Sequence, residues 1–255
     1  MSDKTPIIMI TGATAGFGEA TARLFANAGW RLILTGRRRE RLEKLQAELG
    51  GSEQTYITDF DISDRKATEA AIKAIPEAFC EIDVLVNNAG LALGMEPAYE
   101  TQLDDWERMV DTNIKGLIRC THLLLPKMVK RGEGYIINIG SVAGNWPYPG
   151  GNVYGASKAF VRQFSLTLRA DLLGTGVRVS NIEPGNAETE FSIVRFKENR
   201  ERADKLYANT QALTAEDIAD TIFWLVNTPK HVNVTTLEIM PTQQANGPFA
   251  IHRGE

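Results

Sequence analysis

Short apolar runs alternate with amphipathic stretches along most of the chain. Ile7-Ile8-Met9-Ile10 contains no polar position, as expected of a strand covered on both faces. The stretch Phe17–Ala28 that follows places Ala20, Leu24 and Ala28 at helical spacing. Arg31–Leu34, Thr55–Thr58, Asp83–Val86, Tyr135–Ile139, Val177–Ile182 and Thr236–Met240 read as further strands. Between them Arg41–Leu49, Ala67–Phe79, Leu103–Lys130, Val153–Leu173 and Ala215–Val226 read as helices, with Leu42, Leu45 and Leu49 on one stripe. Repeated strand–helix–strand order gives parallel strands with helices on both faces. Right-handed crossovers then make the architecture an α/β doubly wound parallel sheet. No linker, low-complexity stretch or internal repeat interrupts the pattern, so residues 1–255 read as one domain. Two segments break the alternation, 185–213 and the tail 241–255. Open α/β sheets hold ligands beyond the carboxyl ends of their strands, so these segments are candidate substrate loops.

Composition narrows the class. The 255 residues are 43% apolar and 24% charged, ordinary values for a globular protein. The longest apolar runs fall far short of the roughly 18 residues a spanning helix needs. The N-terminus has neither the apolar core nor the cleavage site of a leader. A net charge of −4, with no basic block beyond Arg37-Arg38-Arg39-Glu40-Arg41, makes nucleic acid a poor partner. Cys80 and Cys120 cannot form a disulfide framework and lack zinc spacing, so they read as free thiols in a reducing cytoplasm.

Two turns carry candidate chemistry. Thr11-Gly12-Ala13-Thr14-Ala15-Gly16-Phe17-Gly18 sits between the first strand and first helix. Glycines there let a phosphate approach backbone N–H groups at the helix N-terminus, although the spacing is not G-x-G-x-x-G and a plain strand–helix turn could contain three glycines. The second strand ends in Thr35-Gly36-Arg37-Arg38, where an NAD site would want a carboxylate and an NADP site an arginine. Cations at a helix start are unfavourable without an anion, which favours NADP. Asp61 either accepts a hydrogen bond from an adenine amine or caps the following helix.

Tyr154 and Lys158, four apart, lie on one helix face. A nearby cation would lower the phenol's pKa toward neutrality and let it exchange a proton with a carbonyl or alcohol oxygen. Ser141, just after the Tyr135–Ile139 strand, could hydrogen-bond the same oxygen. A Tyr-x-x-x-Lys spacing arises often by chance; its place in a cofactor-type sheet gives it weight.

Together Thr11-Gly12-x-x-x-Gly16-x-Gly18, Asn87-Asn88-Ala89-Gly90, Asn113, Ser141, Tyr154-x-x-x-Lys158 and Pro184-Gly185-x-x-x-Thr189 resemble a short-chain dehydrogenase/reductase over nearly the whole chain. The stretches 140–148, 150–155, 88–94 and 194–197 resemble its NADP-dependent 3-hydroxy acid (serine) dehydrogenase branch, near which sulfoacetaldehyde reductases stand. The resemblance implies a Rossmann-type fold, NADP(H) as cofactor, and a homo-oligomer, tetramer or dimer. It implies Tyr154 as acid/base, Lys158 as the residue that tunes it and holds the nicotinamide ribose, Ser141 as the positioner of the substrate oxygen, and Asn113 as holder of a relaying water. It puts Gly12, Thr14, Gly16, Phe17 and Gly18 at the pyrophosphate turn and Arg37 and Arg38 at the 2′-phosphate. Asp61 and Ile62 fall at adenine, Asn88, Ala89 and Gly90 at the ribose, and Pro184, Gly185 and Thr189 at the carboxamide. The stretch 185–191 is shorter and more acidic than the glycine-rich form of that branch.

The branch implies a small anionic carbonyl or alcohol as substrate, a 3-hydroxy acid and its semialdehyde first, sulfoacetaldehyde and isethionate second. Arg195 could pair with the anion and Tyr148 could wall the pocket, with Trp146 and Pro147 beside it; a surface arginine on a loop is the plainer reading. The apolar tail 247–253 is expected to pack on its own chain or a neighbour, and His252 is not needed as an acid. A non-catalytic NADP-binding regulator on the same fold would usually lose Tyr or Lys. A hydrolase lacks a G-x-S-x-G elbow.

Overall fold

The computed structural model describes residues 4–247. Seven strands form one sheet: β1 (Ile7–Ile10), β2 (Arg31–Gly36), β3 (Thr55–Asp59), β4 (Val84–Asn87), β5 (Gly134–Ile139), β6 (Val177–Pro184) and β7 (Thr236–Ile239). Their order is β3-β2-β1-β4-β5-β6-β7, and every neighbouring pair is parallel. The chain runs outward from β1 through β2 to β3, then returns to place β4 on the other flank of β1. Loops leaving β1 and β4 therefore diverge and open a crevice at the strands' carboxyl ends.

The helices are α1 (Gly16–Asn27), α2 (Arg39–Glu48), α3 (Gly51–Gln54), α4 (Arg65–Lys73), α5 (Leu103–Val110), α6 (Leu117–Arg131), α7 (Asn152–Asp171), α8 (Glu190–Arg195), α9 (Arg200–Tyr207) and α10 (Ala215–Val226). Side chains of β1 alternate between two cores. Ile8 and Ile10 join Phe25 of α1, Leu42 of α2 and Ile222 of α10. Ile7 and Met9 join Leu124 and Met128 of α6 and Leu168 of α7. Burial on both faces explains the unbroken apolar run of β1. A third, smaller cluster of Leu91, Ala92, Met109, Ala143 and Tyr154 lies beyond the sheet, where the crevice ends.

Four readings change. The helix expected over 67–79 is α4, which stops at Lys73; Pro76 then separates it from a 3₁₀ turn over Glu77–Phe79. The helix expected over 103–130 is interrupted by a π turn at Asp111–Gly116, between α5 and α6. The irregular segment 185–213 contains α8 and α9, each too short for a periodicity signal; Thr189 and Asn199 cap them. Asp64, not Asp61, caps α4 by accepting from the Ala67 N–H. Asp61 instead closes the turn before it, accepting from the N–H and hydroxyl of Ser63 at 2.9 and 2.6 Å. Cys120 is buried and Cys80 partly so, both as free thiols. Tail residues 248–255, His252 among them, lie outside the described residues.

Candidate active site

A cleft of about 550 Å³ runs along the carboxyl ends of the strands, from Arg37 and Asp61 past the glycine turn to Ser141, Tyr154 and Lys158. Gly12 holds a φ of +68°, a left-handed conformation that favours glycine. A Cβ on Gly18 would stand 2.5 Å from the Gly12 carbonyl oxygen and 2.6 Å from Asn88 Nδ2. Close packing inside the turn thus excludes a side chain there, independently of any ligand. The turn is also tied to β4. Asn88 Nδ2 donates to the Thr11 and Gly12 carbonyls at 2.8 and 3.1 Å, and the N–H groups of Asn88 and Ala89 donate to Thr11 Oγ1. No side chain caps the N-terminus of α1, where Ala15 stands at the cap position. Its first N–H groups, beside a rigid glycine turn and a cleft of dinucleotide size, fit a pyrophosphate.

The arginines at the end of β2 differ from the expectation of cations awaiting a bound anion. Each has a carboxylate of this chain. Arg37 lies 3.7 Å from Asp61, and Arg39 pairs with Asp59 and Glu43 at 2.8 and 2.7 Å. Arg38 donates through Nε and Nη2 to Thr14 Oγ1 and through Nη1 to Glu190 at 3.0 Å. Arg41 donates to both oxygens of Glu190 at 2.9 Å. Arg37, Arg38, Thr14, Phe17, Asp61 and Ile62 all line the cleft.

At the other end, Ser141 lies just beyond β5 and Tyr154 in the first turn of α7. Ser141 Oγ accepts from the Ala143 N–H at 3.1 Å and faces the Pro184 carbonyl at 3.5 Å. Burial pushes the Tyr154 phenol up to about 12, against the lowering contacts of Ser141 and Arg195. This departs from the expected drop toward neutrality: Lys158 Nζ is 5.8 Å from the ring centroid and donates instead to the Ile139 carbonyl at 2.8 Å. Burial lowers Lys158 to about 8. Asn113 sits within the π turn. Its amide exchanges two 2.8 Å hydrogen bonds with the main chain of Leu91 and donates to Ser157 Oγ at 3.0 Å. Gly90 leaves space between Asn113 and Lys158; a Cβ there would be 3.4 Å from Asn113 Oδ1 and 3.5 Å from Lys158 Nζ. Pro184 and Gly185 close the floor, and Thr189 faces Gly16 across the cleft.

Tyr148 and Arg195 are not among the residues lining the cleft. Arg195 is 9% exposed, at the end of α8, and donates to the Gly94 carbonyl at 3.1 Å and the Tyr148 hydroxyl at 2.7 Å. Its guanidinium carbon is 5.5 Å from the Tyr154 ring centroid. Among the described residues no carboxylate lies within ion-pair distance of it. Trp146 is half-exposed and does not reach the cleft.

The short chain dehydrogenase family model matches residues 6–200. The chain is a short-chain dehydrogenase. Over 248 residues it is 55% identical to the NADP-dependent 3-hydroxy acid dehydrogenase YdfG of Escherichia coli (strain K12), covering 97% of this chain and 99% of that one. It is 54% identical to sulfoacetaldehyde reductase 2 of Chromohalobacter salexigens over 254 residues, 99% of this chain and 100% of the relative. Its fold superposes with a TM-score of 0.93 on the closed form of a serine dehydrogenase complexed with NADP+, at 55% identity, over 97% of this chain and 100% of that one.

Three residues of the dehydrogenase make contacts around the site that the sequence reading did not assign to them. Glu190 pairs with two arginines about 150 positions away. Asn145, four residues after Ser141, donates to the buried Glu183 at 2.7 Å, whose carboxyl burial pushes up. Gln244 Oε1 accepts from the Asn186 N–H at 2.7 Å and presses against Gly185. Each is a lone polar residue whose partner is set by the fold; only the charge of Glu190, opposite a basic run, hints at its pairing.

Proposed function

We propose that the dehydrogenase interconverts a small anionic carbonyl compound and its alcohol with NADP(H), acting on a 3-hydroxy acid and its semialdehyde. When bound, NADPH supplies the hydride that reduces the carbonyl carbon. The uncapped N-terminus of α1 and the glycine turn would hold its pyrophosphate, and Arg37, Arg38 and Thr14 its 2′-phosphate. Tyr154 gives its phenolic proton to the substrate oxygen and takes it back from the alcohol in the reverse direction. The Ser141 hydroxyl, which lines the cleft with that phenol, holds the same oxygen. Lys158 and Asn113 hold the proton path behind Tyr154 and the ribose beside it.

The observation that carries the substrate class is Arg195. A guanidinium 5.5 Å from the Tyr154 ring, with neutral hydrogen-bond partners, is placed to take an anion. A carboxylate or a sulfonate meets it; the relatives of both kinds are nearly equally similar, so sulfoacetaldehyde reduction to isethionate is the second reading. An NADPH-oxidation panel of malonic semialdehyde, sulfoacetaldehyde and neutral aldehydes of equal length tests this. The anionic aldehydes should win, Arg195→Met should raise their KM at least tenfold while leaving neutral aldehydes little changed, and Tyr154→Phe should cut turnover by about 10²–10⁴ with NADPH still bound. Preference for the neutral aldehydes would remove the anion site. We further infer that the whole chain works as one cytoplasmic NADP-binding unit and assembles as a tetramer or dimer.

A further inference from the structure

We propose that Glu190 latches α8 across the cofactor cleft and thereby positions Arg195 for the substrate, so that one six-residue helix couples the two ends of the site. The coupling half of this rests on the reading of Arg195 given above; the latch half does not. Glu190 is the first residue of α8 and Arg195 the last. At the first end, Glu190 crosses the mouth of the cleft to Arg38 and Arg41, which belong to the opposite wall. Arg38 is itself anchored to the glycine turn through Thr14. Thr189, which caps α8, stands against Gly16 on the floor of the same crossing. Glu190, Thr189, Arg38 and Thr14 all line the cleft, so the ion pairs stand at the place where its two walls meet.

At the other end, α8 is pinned to the loop after β4. The Gly94 N–H donates to the Arg195 carbonyl at 2.9 Å, and Arg195 Nε returns a bond to the Gly94 carbonyl. Just beyond, Lys197 pairs with Asp105 and Arg202 with Glu96. The helix therefore has one attachment on the substrate side built from a main-chain bond and several side-chain contacts, and one on the cofactor side in which a single carboxylate meets two arginines. Exposed ion pairs contribute little to global stability. A carboxylate shared by two arginines across a cleft can still set the rate at which the cleft opens, because release of the dinucleotide requires all of those contacts to part.

Stopped-flow fluorescence of bound NADPH and NADH tests the latch without any substrate. In Glu190→Gln, both cofactors should dissociate at least fivefold faster than from the wild type, and Arg41→Gln should do the same from the opposite wall. Unchanged dissociation in both variants would overturn the latch. Tighter NADPH binding with NADH unaffected would also overturn it, because Glu190 would then be competing with the 2′-phosphate for Arg38. Steady-state kinetics with the preferred aldehyde test the coupling: Glu190→Gln should raise substrate KM severalfold and by more than it lowers kcat. Faster cofactor release with an unchanged KM would overturn the coupling, whereas an error in the substrate class would show in the wild-type panel alone.

Discussion

Lys158 brings an ammonium into a nearly waterless position with one carbonyl as its hydrogen-bond partner, and the fold bears the cost of that charge. Burial lowers its pKa to about 8, whereas a lysine in an unfolded chain titrates near 10.4. Between those values the unfolded chain binds a proton that the folded chain has released, so this residue makes stability rise with pH across that window. Below pH 8 the full penalty applies. Lys158→Met should therefore raise the melting temperature at pH 7 by a few degrees, with the gain shrinking as pH approaches 10. Thermal melts between pH 6 and 10 check this; a lower melting temperature at pH 7 would mean that the buried ammonium is net stabilising. The pairing of Tyr154 with Lys158 on one helical face was legible from their spacing. The balance of their protonation was not, because burial by residues distant in sequence outweighs the contact between them.

The elements differ in how far local sequence determines them. α10 carries its own start signal: Thr214 accepts from the Asp217 N–H while Asp217 accepts from Thr214, a reciprocal cap. Thr214→Ala should cost about 1 kcal/mol, and its urea midpoint should fall without a change in slope. An unaltered midpoint would show that packing of α10 on α1, through Phe223 and Phe25, holds the helix end without the cap. Strands β1, β2, β4 and β5 were legible because burial on both faces leaves short apolar runs, whereas β6 places Val177, Val179 and Ile182 among polar residues. α8 and α9 were not, being one or two turns long and fixed by caps and by contacts with the far wall of the cleft. The π turn at Asp111–Gly116 was also hidden, since the residues on either side keep helical spacing. It coincides with the position of Asn113, consistent with the frequent placement of such turns at functional sites.

At the scale of the whole molecule, the cleft takes its walls from both flanks of the sheet: β1, β2 and β3 supply one side, β4, β5 and β6 the other. A ligand in it bridges the two. NADP at about a hundred times its Kd should add roughly 2.7 kcal/mol to stability and raise a single melting transition as a unit. Differential scanning calorimetry with and without NADP checks this, and a second transition indifferent to NADP would contradict the reading of the chain as one domain. The doubly wound parallel architecture could be anticipated from alternation and crossover handedness; the order of the strands is seen only in the folded sheet. The bridging contacts could not, since each joins residues that only the completed sheet makes neighbours.

The bonds between the glycine turn and β4 bear on how this protein is made. Thr11 and Gly12 are held by Asn88 and Ala89, 76 to 78 positions further along the chain. While the ribosome is still adding the first three strands, the turn lacks these partners, and β1 has an open flank where β4 will pair. The nascent N-terminal third therefore emerges with its most nucleotide-like motif written but not yet shaped. It takes its final shape only when the segment that carries Asn88 leaves the exit tunnel and docks.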